Sequence, residues 1–225
     1  TIKFVSPKGP YFIGGLSYGG MVAFAMAQQL KRNGEEVALL ALLDSPAPTS
    51  WTKVGDLDDS IILLGLTRER ARQEGIYLDV TGKDFVGLSA DERLMFLVNA
   101  LKESGLAPPD LSEEWIRRFM RGYRARINVV RNYVSQPYHG KITLFRCTER
   151  DPEMEIHLKG VGQDEYMEES FGWNKVSTEP VDVIPLYTYH EVMTFGENTK
   201  VLRALLKDRI DRAWNESIRR KSVGA

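Results

Sequence analysis

Residues 37–43, VALLALL, are seven continuous apolar residues with polar chain on either side. A run of that length suits a strand buried on both faces of a parallel sheet. Upstream, residues 10–16, PYFIGGL, read as a second short buried strand running into a turn. Between the two, residues 18–33 (YGGMVAFAMAQQLKRN) carry a helical pattern. Val22, Met26, Gln29 and Leu30 mark its apolar face, with Phe24 and Ala27 beside it. Lys31 and Arg32 suit the negative C-terminal pole of such a helix, and Gly34 suits its C-cap. Strand, helix and strand in this order form a βαβ unit, and both strands are expected at the centre of a sheet.

From Pro46 to Tyr138 the strand pattern stops. Helical patterns appear near residues 57–66, 89–104 and 112–134. The second opens with Ser89 and Glu92, a capping box, and a further box is expected from Ser112. The stretch 75–88 is glycine-rich and lacks helical periodicity. Strand character returns at residues 141–147, KITLFRC. Residues 149–180 are polar, with acidic Asp164, Glu165, Glu168 and Glu169. A last strand is expected at residues 181–187, VDVIPLY, where Pro185 points to a sheet edge. Residues 198–218 read as a C-terminal helix. The sum is an α/β chain with a mostly parallel sheet, helices on both faces, and a long helical insertion at residues 46–140. The whole chain, 1–225, reads as one domain.

Composition narrows the function classes. The formal net charge of −1 offers no electrostatic reason for a nucleic acid or an acidic membrane surface as partner. No apolar run reaches the roughly 18 residues of a membrane span. A single cysteine, Cys147, forms no internal disulfide, and with three histidines it gives no metal-ligand spacing. No cofactor or metal is therefore expected, and a reducing, cytoplasmic home fits. The chain opens at Thr1 without an initiator Met and reads as an excerpt of something longer.

The candidate chemistry lies in YFIGGLSYGGMVAF, residues 11–24. A P-loop needs Lys-Ser/Thr after its last glycine, whereas Gly20 is followed by Met21. Gly14, Gly15, Gly19 and Gly20 also lack the spacing of a dinucleotide-binding fingerprint. Gly15-Leu16-Ser17-Tyr18-Gly19 does fit G-x-S-x-G, a nucleophile elbow at a strand-to-helix turn. Glycines two before and two after Ser17 leave room where strand and helix approach closely. The Tyr18 backbone N–H can then donate to an oxyanion at the helix N-terminus.

A serine nucleophile needs a base, and the base needs a carboxylate. His139 lies in a turn before a strand, and His157 lies in a polar stretch. His190 directly follows the last expected strand, on the sheet edge where parallel strands end and where Ser17 also sits. Asp44 ends the 37–43 strand on that same edge, although an Asx turn before Pro46 is its plainer reading. Asp151 and Asp182 are the other candidate acids.

The stretch GGLSYGGMVAFAMAQQLKRNGEEVALLALLDSPAP closely resembles type I thioesterase domains of nonribosomal peptide and polyketide synthases. KITLFRCTE and VDVIPLYTYHEVM resemble the later strand and the approach to the family's histidine. The resemblance implies an α/β-hydrolase fold. It supports Asp44 over Asp151, since in that family the acid follows the strand after the elbow helix. It implies a serine thioesterase that takes an acyl or peptidyl chain from the phosphopantetheine arm of a carrier domain, upstream in the same polypeptide, and releases it by hydrolysis or macrocyclisation. Residues 46–140 fall where the family inserts its lid, whose apolar and aromatic positions here include Ile61, Leu64, Trp115, Phe119, Tyr123 and Tyr133. Two departures stand out. Thr188-Tyr189 precede His190 where the family often has Gly-Asp. The elbow also arrives at residue 17, so the family's earlier strands, and the loop with its second oxyanion donor, are expected to be missing. A stand-alone editing thioesterase, a general esterase or lipase, and a non-catalytic docking module of hydrolase fold remain as alternatives.

Overall fold

A computed structural model describes residues 2–51, 59–150 and 168–223. Its principal elements in chain order are α1 (Ile2–Val5), β1 (Tyr11–Leu16), α2 (Tyr18–Arg32), β2 (Val37–Leu43), α3 (Asp59–Gln73), α4 (Ala90–Glu103), α5 (Glu113–Arg131), β3 (Thr143–Cys147), β4 (Asp182–Leu186) and α6 (Gly196–Val223). Among the described residues the four strands are all parallel and lie in the order β1-β2-β3-β4. Pro185 accordingly sits in an edge strand. β1 pairs with β2 alone among the described residues, and it leaves Gly14 and Leu16 exposed. It is an edge strand here, not the central, buried one expected from its apolar sequence.

The side chains of β2 alternate between two cores. Leu40 and Leu42 pack with Ala23, Phe24, Ala27 and Leu30 of α2. Leu39 and Ala41 face the other way, toward Phe145, Ile184 and Leu202 of α6. Burial on both faces explains why no polar residue interrupts 37–43. The buried face of α2 comprises Met21, Ala23, Phe24, Ala27, Gln28 and Leu30. This corrects the face expected from sequence, because Val22 is 44% exposed and Gln29 is exposed. Gly34, at φ 76°, follows the Asn33 cap and lets the chain turn back toward β2.

Between β2 and β3, helices α3 to α5 build a separate core from Ile62, Leu63 and Leu64, Leu94, Leu97 and Val98, and Ile116 and Met120. Ser89 and Glu92 form the expected capping box on α4. Ser112 supplies only the hydroxyl half on α5, accepting from the Trp115 N–H, since Trp115 occupies the position where a carboxylate would be needed. Phe119 and Tyr123 are half-buried in this core, while Trp115 stacks on Phe119 at 5.5 Å between ring centroids. Tyr133 leaves the group and donates its hydroxyl to Gln28 of α2 at 2.6 Å. Within 75–88 the only helical element is a 3-10 turn, Gly82–Phe85, capped by Thr81. Among the described residues no helix is long and apolar enough to cross a membrane.

The polar stretch after β3 conceals a structural anchor. Phe171 and Trp173 are buried, and the Trp173 indole N–H donates to the Ser45 carbonyl at 2.6 Å. The same ring packs against Phe24, 4.8 Å between centroids. Asp164 and Glu165 lie outside the described residues.

Close approach of strand and helix decides which glycines of the elbow are obligatory. A methyl group on Gly15 would stand 2.2 Å from the Gly19 carbonyl oxygen, and one on Gly20 would meet the Ser45 side chain at 2.5 Å. A methyl on Gly19 would meet nothing within 4 Å. The steric need after Ser17 therefore falls on Gly20, not on Gly19 as the pentapeptide suggests. Gly15→Ala is expected to destabilise the fold by about 3 kcal/mol, whereas Gly19→Ala is neutral or stabilises by up to about 1 kcal/mol through helix propensity. Denaturant midpoints of the two variants check this. In the same measurement Trp173→Phe loses about 1–3 kcal/mol, because the buried Ser45 carbonyl is left without its donor.

Candidate active site

All four strands run the same way, so their C-terminal ends share one edge of the sheet. The ladder continues past the strand ends: Ser17 N–H donates to the Leu43 carbonyl at 2.9 Å, and Asp44 N–H donates to that of Phe145 at 2.7 Å. These bonds place Ser17 and Asp44 on adjacent strand exits. Ser17 takes φ 53°, ψ −124°, a conformation that an L-residue occupies only when its surroundings impose it. Here β1 and α2 impose it from both sides. Ser17 is half-buried and opens α2. Tyr18 is the first residue of that helix, so its N–H falls among those an α-helix cannot bond internally.

Asp44 also has positive φ, 40°, in the turn after β2, and is buried. Its Oδ2 lies 2.8 Å from His190 Nδ1. Its Oδ1 accepts the Cys147 backbone N–H at 2.9 Å and the Arg146 guanidinium at 3.1 Å. The contact to Asp44 puts the imidazole proton on Nδ1, which leaves Nε2 as the nitrogen able to accept a proton. His190 is the first residue of a short 3-10 turn, His190–Val192, and its side chain is 31% exposed. Burial, with the charge of Asp44 second, pushes the Cys147 thiol well above its ordinary pKa, so it stays a neutral core residue.

The other sequence candidates fall elsewhere or outside the described residues. His139 is exposed beside the C-terminal end of α2, where its carbonyl accepts Lys31 Nζ and its ring meets Thr178 Oγ1 at 3.3 Å. α2 spans 15 residues, so His139 is about 20 Å from the Ser17 end. Asp182 opens β4 at the far end of the strand from His190 and pairs with Arg209 at 2.8 Å. Asp151 and His157 lie outside the described residues.

Sequence reasoning missed the groups that hold the His190 segment. Arg72 of α3 lies over the Tyr189 ring at 4.7 Å and pairs with Glu191 at 3.4 Å. Gln73 donates to the Glu191 carbonyl at 3.3 Å. Thr188 is buried and its carbonyl accepts the Glu149 N–H at 3.2 Å, so the Thr188-Tyr189 departure is built firmly into the loop. Arg146 was missed because it sits inside a strand and looks like an ordinary outward position. Near Ser17, an apolar cleft opens between α2 and α5, lined by Tyr18, Met21, Val22, Pro48, Val130 and Tyr133 among others. Among the described residues no cluster of His, Cys, Asp and Glu could hold a metal ion.

Comparison with known proteins shows the family of the chain. The chain is 31% identical over 151 residues to a dimodular nonribosomal peptide synthase of Bacillus subtilis, covering 65% of this chain and 6% of that protein. It is 29% identical over 155 residues to the chondramide synthase of Chondromyces crocatus, covering 64% of this chain and 4% of the synthase. The chain thus spans a small fraction of the length of the curated relatives it matches. In fold it resembles a solved four-domain nonribosomal peptide synthetase, with a TM-score of 0.71 and 22% identity over 92% of this chain and 15% of that one. The Vlm2 thioesterase domain bound to a dodecadepsipeptide gives a TM-score of 0.53 at 20% identity, over 92% of this chain and 71% of that domain. The family model described as "Thioesterase domain" matches residues 1–186, and the chain belongs to that family.

Proposed function

We propose that this chain is a serine thioesterase in which Ser17 is the nucleophile, His190 the general base and Asp44 the acid that orients it. The observation that carries the reading is the His190–Asp44 pair on the same sheet edge as a serine held at φ 53°, ψ −124°. Ser17 Oγ attacks the carbonyl carbon of a thioester while His190 Nε2 takes the hydroxyl proton. The developing oxyanion is met by the Tyr18 N–H at the positive end of α2. As the C–S bond breaks, His190 returns the proton to the departing sulfur, leaving an ester on Ser17 and a free thiol. Water, or a hydroxyl or amine of the bound chain, then attacks that ester. His190 takes the attacker's proton and passes it to Ser17 Oγ.

The thioester is carried on the phosphopantetheine arm of a carrier domain, which enters as substrate and not as a resident cofactor. A carrier domain upstream in the same polypeptide fits the synthases that this chain resembles. Residues 46–140 act as the lid. Helix α5 reaches α2 beside Tyr18, and α3 grips the His190 loop, so the inserted helices touch the site at two places. The apolar cleft between α2 and α5 suits an acyl chain and limits water there.

The test is acylation by a carrier protein loaded with an acyl-phosphopantetheine, followed by intact mass. The wild-type chain is expected to gain the acyl mass on Ser17, and Ser17→Ala to gain none. Asp44→Asn is expected to cut the acylation rate by about 10⁴, because the imidazole then loses the partner that fixes its tautomer. Acylation of Ser17→Ala would overturn the assignment. Faster turnover of simple oxygen esters than of the loaded carrier would indicate a general esterase.

A further inference from the structure

The residues around Asp44 assign a role to Arg146 that the triad alone does not include. Arg146 is 6% exposed, and its guanidinium bonds the Asp44 oxygen not used by His190. On its other side it lies 3.2 Å from the centroid of the buried Phe171 ring. Phe171 is itself fixed in a left-handed conformation, φ 54°, with its carbonyl accepting the Ala47 N–H at 2.9 Å. A charged guanidinium this deep is retained only where its charge is matched and its plane is covered.

We infer that Arg146, seated on Phe171, is a positioning residue that fixes the Asp44 carboxylate and offsets part of its charge, so that His190 stays neutral and able to act as a base near neutral pH. This rests on the triad reading above and deepens it. A carboxylate serving only His190 would hold the imidazolium strongly. Sharing it with a guanidinium weakens that hold while leaving the Nδ1 contact in place. Among the described residues, the other charged or titratable groups on elements packed around His190 are Arg72 from α3, Tyr189 and Glu191 beside it, and Cys147, Glu149 and Arg150 on β3 and its exit. Arg72 and Glu191 pair with each other, so their opposite charges largely offset, while the Cys147 thiol stays neutral. Arg146 is the cation bonded directly to the carboxylate that His190 uses.

The sign follows. Removing the Arg146 charge leaves more of the Asp44 charge facing His190, which favours imidazolium and raises the pH at which the base becomes available. The experiment uses the full chain and an alkyl fluorophosphonate as probe. It follows the second-order rate of Ser17 labelling from about pH 5 to about pH 9.5, with melting curves alongside. Arg146→Met is expected to move the acid limb up by about one pH unit. Labelling then falls roughly tenfold on the acid limb, near pH 5.5, and recovers to within about threefold near pH 9. Arg146→Lys keeps the charge, so its limb stays within about half a unit of wild type even where the rate drops. Arg146→Gln keeps an N–H donor for Asp44 and loses only the charge, and it replaces the Met variant where that fails to fold. A folded Met or Gln variant whose loss is the same near pH 5.5 and near pH 9 would overturn the inference and leave Arg146 a purely structural ion pair. No labelling of the wild-type chain would instead overturn Ser17 as nucleophile, a separate failure.

Discussion

The buried carboxylate of Asp44 ties together segments that are far apart in sequence. It accepts from the exit of β3 through the Cys147 N–H and the Arg146 guanidinium, and it meets the His190 turn that follows β4. Its own backbone turns back at φ 40°, with its N–H committed to the β3 carbonyl of Phe145. Taking a carboxylate and a guanidinium out of water costs several kcal/mol per ion, and only dense hydrogen bonding offsets it. The arrangement supplies that density: both carboxylate oxygens are occupied, and the guanidinium plane is covered by Phe171. The surrounding chain follows from this demand. Trp173 holds the Ser45 carbonyl, and Phe171 holds the Ala47 N–H, so the turn carrying Asp44 is pinned from beneath by residues that lie over 120 positions later.

The inserted helices extend the same logic to the histidine. Their apolar residues close on one another and not on the sheet, so α3 to α5 form a body with its own core. That body still reaches the site at two places. Arg72 and Gln73 secure Tyr189 and Glu191 on either side of His190, and Tyr133 secures the segment after α5 to Gln28 of α2. The sheet, α2 and the Phe171–Trp173 segment therefore position Ser17 and Asp44, while the orientation of His190 also depends on the insertion. A shift of α3 would be felt at His190 before it was felt at Ser17.

This division explains what could be read in advance. β2 matches the 37–43 run because burial on both faces forces a continuous apolar sequence that few other elements produce. That Ser17, Asp44 and His190 share one sheet edge was legible because each follows a strand, and parallel strands end on one edge. For Asp44, the end of the 37–43 strand already marked it out against an Asx turn, and the family resemblance added weight over Asp151. Arg146 was not legible, because nothing in KITLFRC shows that its carboxylate partner lies 102 residues earlier in the chain. Phe171 and Trp173 were hidden for a related reason: two large aromatics in a polar stretch carry no period, yet tertiary contacts bury both. The misplaced face of α2 has a local cause. Val22 would be core on hydropathy alone, but α2 turns its Ala23, Phe24 and Ala27 side to the sheet, where small residues allow close packing.

Strain gathers where these constraints converge. Ser17, Asp44 and Phe171 are the three non-glycine residues with positive φ among the described residues. They are the serine at the strand-to-helix turn, the carboxylate paired with His190, and the ring beneath Arg146. At about 1–3 kcal/mol each, such conformations together cost roughly 3–9 kcal/mol, comparable with the whole stability of a domain at about 5–15 kcal/mol. They persist because each is bonded across to its neighbour: Ser17 to Leu43, Asp44 to Phe145, and Phe171 to Ala47. Those three bonds run in sequence from β1 to β2, from β2 to β3, and from the turn after β2 to the segment before β4. Relaxing one residue would release the strand exit that holds the next, so the site is held as a unit. The backbone geometry that presents Ser17 and the one that fixes Asp44 are then two parts of a single constraint, set by the parallel pairing of the sheet.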